Sequence, residues 1–248
     1  MSINTLPHIL PTTLETLKTR IISALDNGEK ITAALIKKLV EQSKVTEEDL
    51  KPYADFEHPV EDSYGRKMIY DGGKFEIMAM SWNPGHYSSI HNHGYTQWGV
   101  VQVFGNTHHF IYKNKDGELK FAKKEVLTKG AITKVVNATI HQMGNPSTGK
   151  YMTLHVYGSD EKEGEITADA KNYELEFDRI NHTTGGAFFN LPEDQIYNFK
   201  PGPNPTKDVF INYAKLMMDY YERQNKSSKI DALKGALIKK LNERLCVS

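Results

Sequence analysis

The stretch Gly85-His86-Tyr87-Ser88-Ser89-Ile90-His91-Asn92-His93-Gly94 sets two imidazoles two residues apart, and Gly130–Asn145 (GAITKVVNATIHQMGN) supplies a third at His141. In an extended strand residues i and i+2 leave the same face, so His91 and His93 can grip one ion. His141 lies in a second β-rich segment that a neighbouring strand could bring beside the pair. No carboxylate follows closely behind His93, so the donor set is three neutral nitrogens. Imidazole suits Zn, Cu, Ni and Fe, and three protein ligands leave coordination positions open, as at a reactive centre rather than a structural one.

Around these histidines the chain reads as short β-like runs between turn residues. The runs are Phe75–Trp82, Trp98–Phe104, His108–Tyr112, Phe121–Leu127, Ala131–Val136, Tyr151–Tyr157 and Tyr173–Phe177. Breaks fall at Asp71-Gly72-Gly73, Asn83-Pro84-Gly85, Asp116-Gly117 and Asn145-Pro146, residues that favour turns. Closely spaced strands of this kind predict a sandwich or small barrel. Before them, Leu14, Leu17, Ile21 and Leu25 keep helical spacing, Ile31, Leu35 and Leu39 begin a second helix, Thr46 with Asp49 forms a capping signal, and Pro52 ends that element. After them, the glycine- and proline-rich residues 181–207 read as a long surface connection over a pocket mouth, followed by helices near 208–223 and 228–245. Their stripe, Ile211, Ala214, Leu216, Met217, Leu233, Leu237 and Leu241, reads as a packing face, with a dimer interface as the alternative. Three parts are expected: a helical segment over 1–58, a barrel carrying the metal site over 59–180, and a loop with a helical extension over 181–248.

Composition excludes several partners. The 31 basic and 31 acidic residues cancel, and no basic stripe points to nucleic acid or an anionic membrane. Met1–Leu10 carries no targeting pattern and no apolar run approaches the ~20 residues of a spanning helix. Cys246 is the sole cysteine, which precludes an internal disulfide and is compatible with a cytoplasmic location. His86 reads as loop, and His108 and His109, facing opposite ways, as ordinary strand residues.

The two histidine segments resemble the paired motifs of the cupin superfamily and, within it, the cysteine dioxygenase family. Gly85, His91, His93 and Gly105 occupy the first motif, G-x5-H-x-H-x3-4-E-x6-G, but Trp98 stands in the glutamate's slot with Gln97 beside it. Gly130, His141 and Asn145 match the second motif, with Val136 and Ala138 replacing its proline and glycine. Tyr64-Gly65-Arg66 is similar to the family's Y-x-R segment, and Thr153, His155 and Tyr157 to its S-x-H-x-Y triad. The resemblance spans about Tyr64 to Gly158. It implies a mainly β, jelly-roll-like cupin barrel with N-terminal helices and a C-terminal helical extension. It also implies one Fe(II) on His91, His93 and His141, O2 as co-substrate, Arg66 and Tyr64 as substrate-binding residues, and Thr153, His155 and Tyr157 as the catalytic triad. Animal members cross-link a cysteine to the triad tyrosine; neither Trp98 nor its neighbours can, so Tyr157 is expected as a free phenol. Spacing leaves open whether Trp98 points into the pocket or the core.

Physical chemistry gives the same roles a rationale. A metal held by neutral imidazoles keeps its full charge and favours an anionic ligand, which a thiol supplies as thiolate. Arg66 suits an α-carboxylate through a bidentate pair. The expectation is a thiol dioxygenase acting on L-cysteine, with 3-mercaptopropionate or another thiol acid as the alternative, working as a monomer or homodimer. From other classes, a metal-binding cupin sensor, or an isomerase or hydrolase using Zn, Ni or Mn, would account for the histidines equally well.

Overall fold

In the computed structural model, which describes residues 9–161 and 164–246, two β-sheets face each other and helices cover both outer faces. One sheet has the order β1-β2-β9-β4-β7, from strands β1 (Gly65–Asp71), β2 (Phe75–Trp82), β4 (Trp98–Val103), β7 (Ile132–Val135) and β9 (Tyr151–Gly158). The other is β12-β11-β10-β3-β8-β5-β6-β13, built from β3 (Ile90–His91), β5 (Thr107–Lys115), β6 (Glu118–Leu127), β8 (Ile140–Gly144), β10 (Ala170–Glu174), β11 (Arg179–Thr183), β12 (Ile196–Pro201) and β13 (Asn204–Pro205). Together they form the walls of a jelly-roll-like barrel.

The layering follows from side-chain alternation in strands buried on both faces. All eight residues of β2 and all eight of β9 are buried. Phe75, Ile77, Ala79, Leu154 and Val156 pack outward with Leu14, Leu17 and Ile21 of α1 (Thr12–Asp26) and with Ile36 and Val40 of α2 (Ala33–Ser43). Met78, Met80, Trp82 and Tyr157 pack inward. Each fully buried Leu or Ile on α1 contributes roughly 1.5–3 kcal/mol, which propensity alone could not supply to a helix of this length. Local signals set the helix starts: Leu35 N donates to Thr32 Oγ1 at 3.1 Å, and Thr46 N to Asp49 Oδ2 at 2.8 Å. Pro52 ends that α-helix as expected: α3 (Glu47–Leu50) stops with Lys51 as its C-cap, and a single 3-10 turn, Lys51–Tyr53, follows.

On the other side, α4 (Lys207–Arg223) lays Val209, Phe210, Tyr213, Met217 and Tyr220 over Ile90, Phe110, Tyr112 and Tyr173 of the larger sheet, and α5 (Ser228–Cys246) adds Leu237. Of the predicted stripe, Ala214, Leu216, Met217 and Leu237 are buried here, whereas Ile211 is exposed. Residues 181–207 are not the plain surface connection that their glycines and prolines suggest. Their backbone extends the larger sheet through β11, β12 and β13, and the intervening turn brings Gly185 and Ala187 over the cavity. Among the described residues no helix is long and apolar enough to cross a membrane. The expectation about Met1–Leu10 falls almost wholly on residues outside those described.

Candidate metal centre

Two strands of the larger sheet deliver the three histidines. His91 of β3 pairs directly across the ladder with His141 of β8, and His93 follows two positions on. The Nε2 atom of His141 lies 3.3 Å from that of His91 and 3.1 Å from that of His93. A first-row metal with bonds of about 2.1 Å to nitrogen needs neighbouring donors about 3.0–3.4 Å apart for octahedral or tetrahedral angles. The donor set therefore fits a single ion by type and by spacing.

Protonation states agree with that fit. His91 Nδ1 lies 2.9 Å from the Ser89 carbonyl oxygen, which can only accept, so the proton sits on Nδ1 and the Nε2 lone pair faces the other rings. Burial lowers the pKa of His91 to about 4. Burial also holds His93 and His141 well below the ordinary histidine value, with each nearby ring opposing a positive charge on the others. Neutral imidazole is the ligating form.

His109 was not legible as part of this centre. It is buried, and its Nε2 lies 2.9 Å from His141 Nδ1 while its own Nδ1 lies 3.0 Å from Glu125 Oε1. Lys123 in turn forms an ion pair with Glu125. Burial pulls the Glu125 carboxyl upward, but hydrogen bonds from Lys123 and His109 outweigh it and hold the group below its usual range. In the His108-His109 pair only alternation was available: it correctly sends the two side chains to opposite faces, His108 outward to the Tyr87 hydroxyl at 2.8 Å, but it cannot say which partner waits inside.

The predicted triad forms a continuous chain along β9. Thr153 Oγ1 is 2.7 Å from His155 Nε2, and His155 Nδ1 is 2.7 Å from the Tyr157 hydroxyl. Trp82, unforeseen as a site residue, donates its indole N–H to Thr153 Oγ1 at 2.9 Å. With that oxygen accepting, the Thr153 hydroxyl can donate to Nε2, which leaves the proton on Nδ1 for the Tyr157 oxygen. The phenolic O–H is then free to donate into the cavity. Burial lowers His155 to about 3 and pushes Tyr157 far above the normal phenol value, so both stay neutral. The Tyr157 ring lies 5.1 Å from that of His93, centroid to centroid.

Arg66 and Tyr64 line the same cavity as the three histidines, His155 and Tyr157. Its free space, opening included, is ≈ 460 Å³, and Met78, Met80 and Met143 supply an apolar wall. Thr153 stands behind this lining, reaching it through His155. Among the described residues the Arg66 guanidinium donates only a long hydrogen bond, 3.4 Å, to Thr167 Oγ1. Tyr64 stacks on Trp82 at 4.7 Å, and burial raises its phenol to about 12. Beside them lies the buried Glu76, whose Oε1 accepts from Ile166 N at 3.1 Å; burial raises its pKa against the opposing charge of Arg66.

Two positions from the glutamate slot resolve differently. Trp98 points out of the barrel into the core beneath α1 and α2, and its indole N–H donates to Asp160 Oδ1 at 3.0 Å. Gln97 accepts from Asp160 N at 2.7 Å. Neither reaches the histidines. On β4 the residue opposite Tyr157 is Gly99, as Glu76 is on β2, and an added Cβ at Gly99 would lie 2.7 Å from Tyr157 Cδ1. Asn145 knits the scaffold, donating to Trp82 O at 3.1 Å and Gly149 O at 2.7 Å.

Comparison with known proteins bears on this geometry. The family model described as Cysteine dioxygenase type I matches residues 7–160. Cysteine dioxygenase type 1 of Bos taurus is 28% identical over 144 residues, 56% of this chain and 70% of the relative, and that of Homo sapiens gives the same figures. Among solved structures, a Thermus thermophilus protein superposes with a TM-score of 0.35 at 14% identity, covering 44% of this chain and 93% of its own. A cupin 2 conserved barrel domain protein from Salinispora arenicola gives 0.32 at 10%, covering 44% and 87%. With its family match spanning more than half of its length, the chain belongs to the cysteine dioxygenase type I family.

Proposed function

We propose that the chain is a mononuclear non-haem iron thiol dioxygenase that joins both atoms of O2 to the sulfur of a carboxylated thiol, L-cysteine first, to give the sulfinic acid. The observation that carries it is one small cavity holding three neutral imidazoles, the Arg66 guanidinium and the Tyr157 hydroxyl. Fe(II) held by His91, His93 and His141 would keep its 2+ charge, favour the thiolate over the thiol and supply the redox chemistry with O2.

The remaining work falls to the chain's own side chains. Arg66, which forms no ion pair among the described residues, binds the substrate carboxylate and so fixes how far the sulfur can reach toward the histidines. Its fork matches a carboxylate in a way that favours a thiol acid over a simple amine thiol. Tyr157 offers its O–H to the reacting sulfur and oxygen atoms, while His155 and Thr153 hold that hydroxyl in one direction. Tyr64, stacked on Trp82 and packed at a tilt against Phe188, keeps the Arg66 end of the cavity rigid. Methionine walls exclude bulk water. Thiol plus O2 equals sulfinic acid without an added reductant, so the chemistry requires no second cofactor.

The test is anaerobic loading of the metal-free protein with Fe(II), followed by O2 uptake across cysteine, 3-mercaptopropionate, cysteamine and mercaptosuccinate. Coupled loss of O2 and thiol, with a product heavier by two oxygen atoms, is expected, and cysteine should lead. A protein that binds the metal yet consumes neither reactant would be a non-oxidative cupin.

A further inference from the structure

The first coordination shell carries no carboxylate, yet a carboxylate stands two hydrogen bonds away. From His141 Nδ1 the path runs 2.9 Å to His109 Nε2 and then from His109 Nδ1 3.0 Å to Glu125 Oε1. The protons have a consistent direction. Glu125 can only accept, so His109 Nδ1 bears its hydrogen and His109 Nε2 is an acceptor; His141 Nδ1 must then donate, leaving its Nε2 lone pair for the ion. Both rings are 1% exposed, so water does not compete for these bonds. Glu125 is at the other end of the wire, on β6, where solvent and Lys123 reach it.

Two further features separate this path from the other two ligands. His91 donates to a neutral backbone carbonyl, and among the described residues His93 has no charged hydrogen-bond partner, so within them His141 alone of the three imidazoles is connected to an anion. The path also crosses three adjacent strands, since β8 pairs with β5 and β5 with β6, with His109 directly opposite Glu125. It is therefore set by the sheet's register rather than by a mobile loop.

We propose that Glu125, acting through His109, is the positioning and charge-supplying partner of His141: it delivers to the metal centre, at one remove, the negative charge that Trp98 and Gln97 do not. An imidazole donating to a histidine–carboxylate pair is a more basic ligand than one donating to a carbonyl, and outer partners of this kind typically change metal affinity by about 10- to 100-fold. The same polarisation favours the more highly charged oxidation state. Because the charge is displaced from the ion, open positions for substrate are retained. This inference assigns a role within the metal site and rests on the three-histidine assignment in the proposed function, but not on thiol chemistry.

Equilibrium binding of Fe(II), and of Co(II) as a spectroscopic probe, to the metal-free full chain tests it. Glu125→Gln preserves an acceptor for His109 and removes only the charge. Affinity should fall by about tenfold, the Co(II) ligand-field bands should shift, and the Fe(III)/Fe(II) potential should rise, with the melting temperature of the metal-free protein unchanged. Lys123→Ala removes the cation that competes for Glu125 while leaving Glu125, His109 and His141 in place, and should leave affinity equal or tighter. Unchanged affinity and bands in Glu125→Gln would overturn the proposal, as would an equal loss in both variants, which would mark the cluster as a structural brace. A parent protein that binds both metals but oxidises no thiol would refute the dioxygenase assignment and leave this inference standing.

Discussion

Glu176→Gln probes the joint between the barrel and its C-terminal helices. Glu176 lies in the 3-10 turn Leu175–Phe177 after β10, 8% exposed, under α4. Tyr213 donates its hydroxyl to one carboxylate oxygen and Tyr221 to the other at 3.4 Å. Burial raises the pKa from 4.5 to about 7, with the Tyr213 bond opposing and Glu174 reinforcing the rise. For an acid raised on folding, both states are protonated below pH 4.5 and no stability is at stake. Between 4.5 and 7 the unfolded chain ionises while the folded one does not, so stability is lost as pH rises; above 7 the loss is complete. At 1.36 kcal/mol per unit, the shift amounts to about 3 kcal/mol. Glutamine cannot ionise and retains one acceptor for a tyrosine. Urea unfolding of parent and variant at pH 5 and pH 8 should show the variant gaining about 2–3 kcal/mol relative to the parent between the two. Subtracting the two proteins cancels every other titrating group. A gap that stays the same at both pH values would refute the reasoning.

Arg66→Ala should reduce kcat/KM for cysteine by about ten- to hundredfold, the value of a charge-assisted hydrogen bond, while barely altering cysteamine turnover; equal losses for both thiols would remove the carboxylate assignment. Tyr157→Phe should lower kcat by at least about tenfold with Fe(II) affinity unchanged, and a normal kcat would show that the phenol is only packing. Metal-free protein should lose stability as pH falls below 6.5, because His91, His93, His141 and His155 stay neutral in the fold, held there first by burial, down to about 4 for His91 and about 3 for His155, while the unfolded chain takes up protons. That fall is best read as melting temperature from pH 7 to 5 in the Glu176→Gln background, where the opposing contribution is absent; a flat profile would contradict it. Gly99→Ala must find room for a methyl 2.7 Å from Tyr157 Cδ1 and 2.8 Å from Val156 O, so it should cost about 1–3 kcal/mol in stability and lower kcat by turning the phenol.

Strands buried on both faces were legible as apolar runs: Phe75–Trp82 is β2 residue for residue, and Tyr151–Tyr157 is β9 less its last glycine. Strands that owe their existence to partners were not. β3 is only Ile90–His91, held between β8 and β10, and β12 at the sheet edge is almost wholly exposed, so neither carries a hydrophobic signature. Chemistry divides the same way. The spacing of His91, His93 and His141 survives translation into space because i and i+2 fix a face, and Thr153, His155 and Tyr157 share the parity of one strand. Contacts of His109 and Trp82 depend on which strand lies alongside, a property of register that no local pattern encodes.

The glutamate slot shows most clearly what counting residues cannot supply. Spacing from Gly105 selects Trp98, but a strand has two faces and the motif does not state the parity. Pairing does: Trp98 stands opposite Gly158, over whose bare Cα its indole lies, and Gly99 stands opposite Tyr157. A shift of one residue would bring the indole into the cavity and the glycine under the helices, yet Val100 packing outward and Val101 and Val103 packing inward hold the register. The position beside the Tyr157 ring therefore has no side chain. Tyr157 has nothing there with which to form a thioether, and its phenol is held instead by hydrogen bonding to His155, which is tied in turn to Thr153 and Trp82.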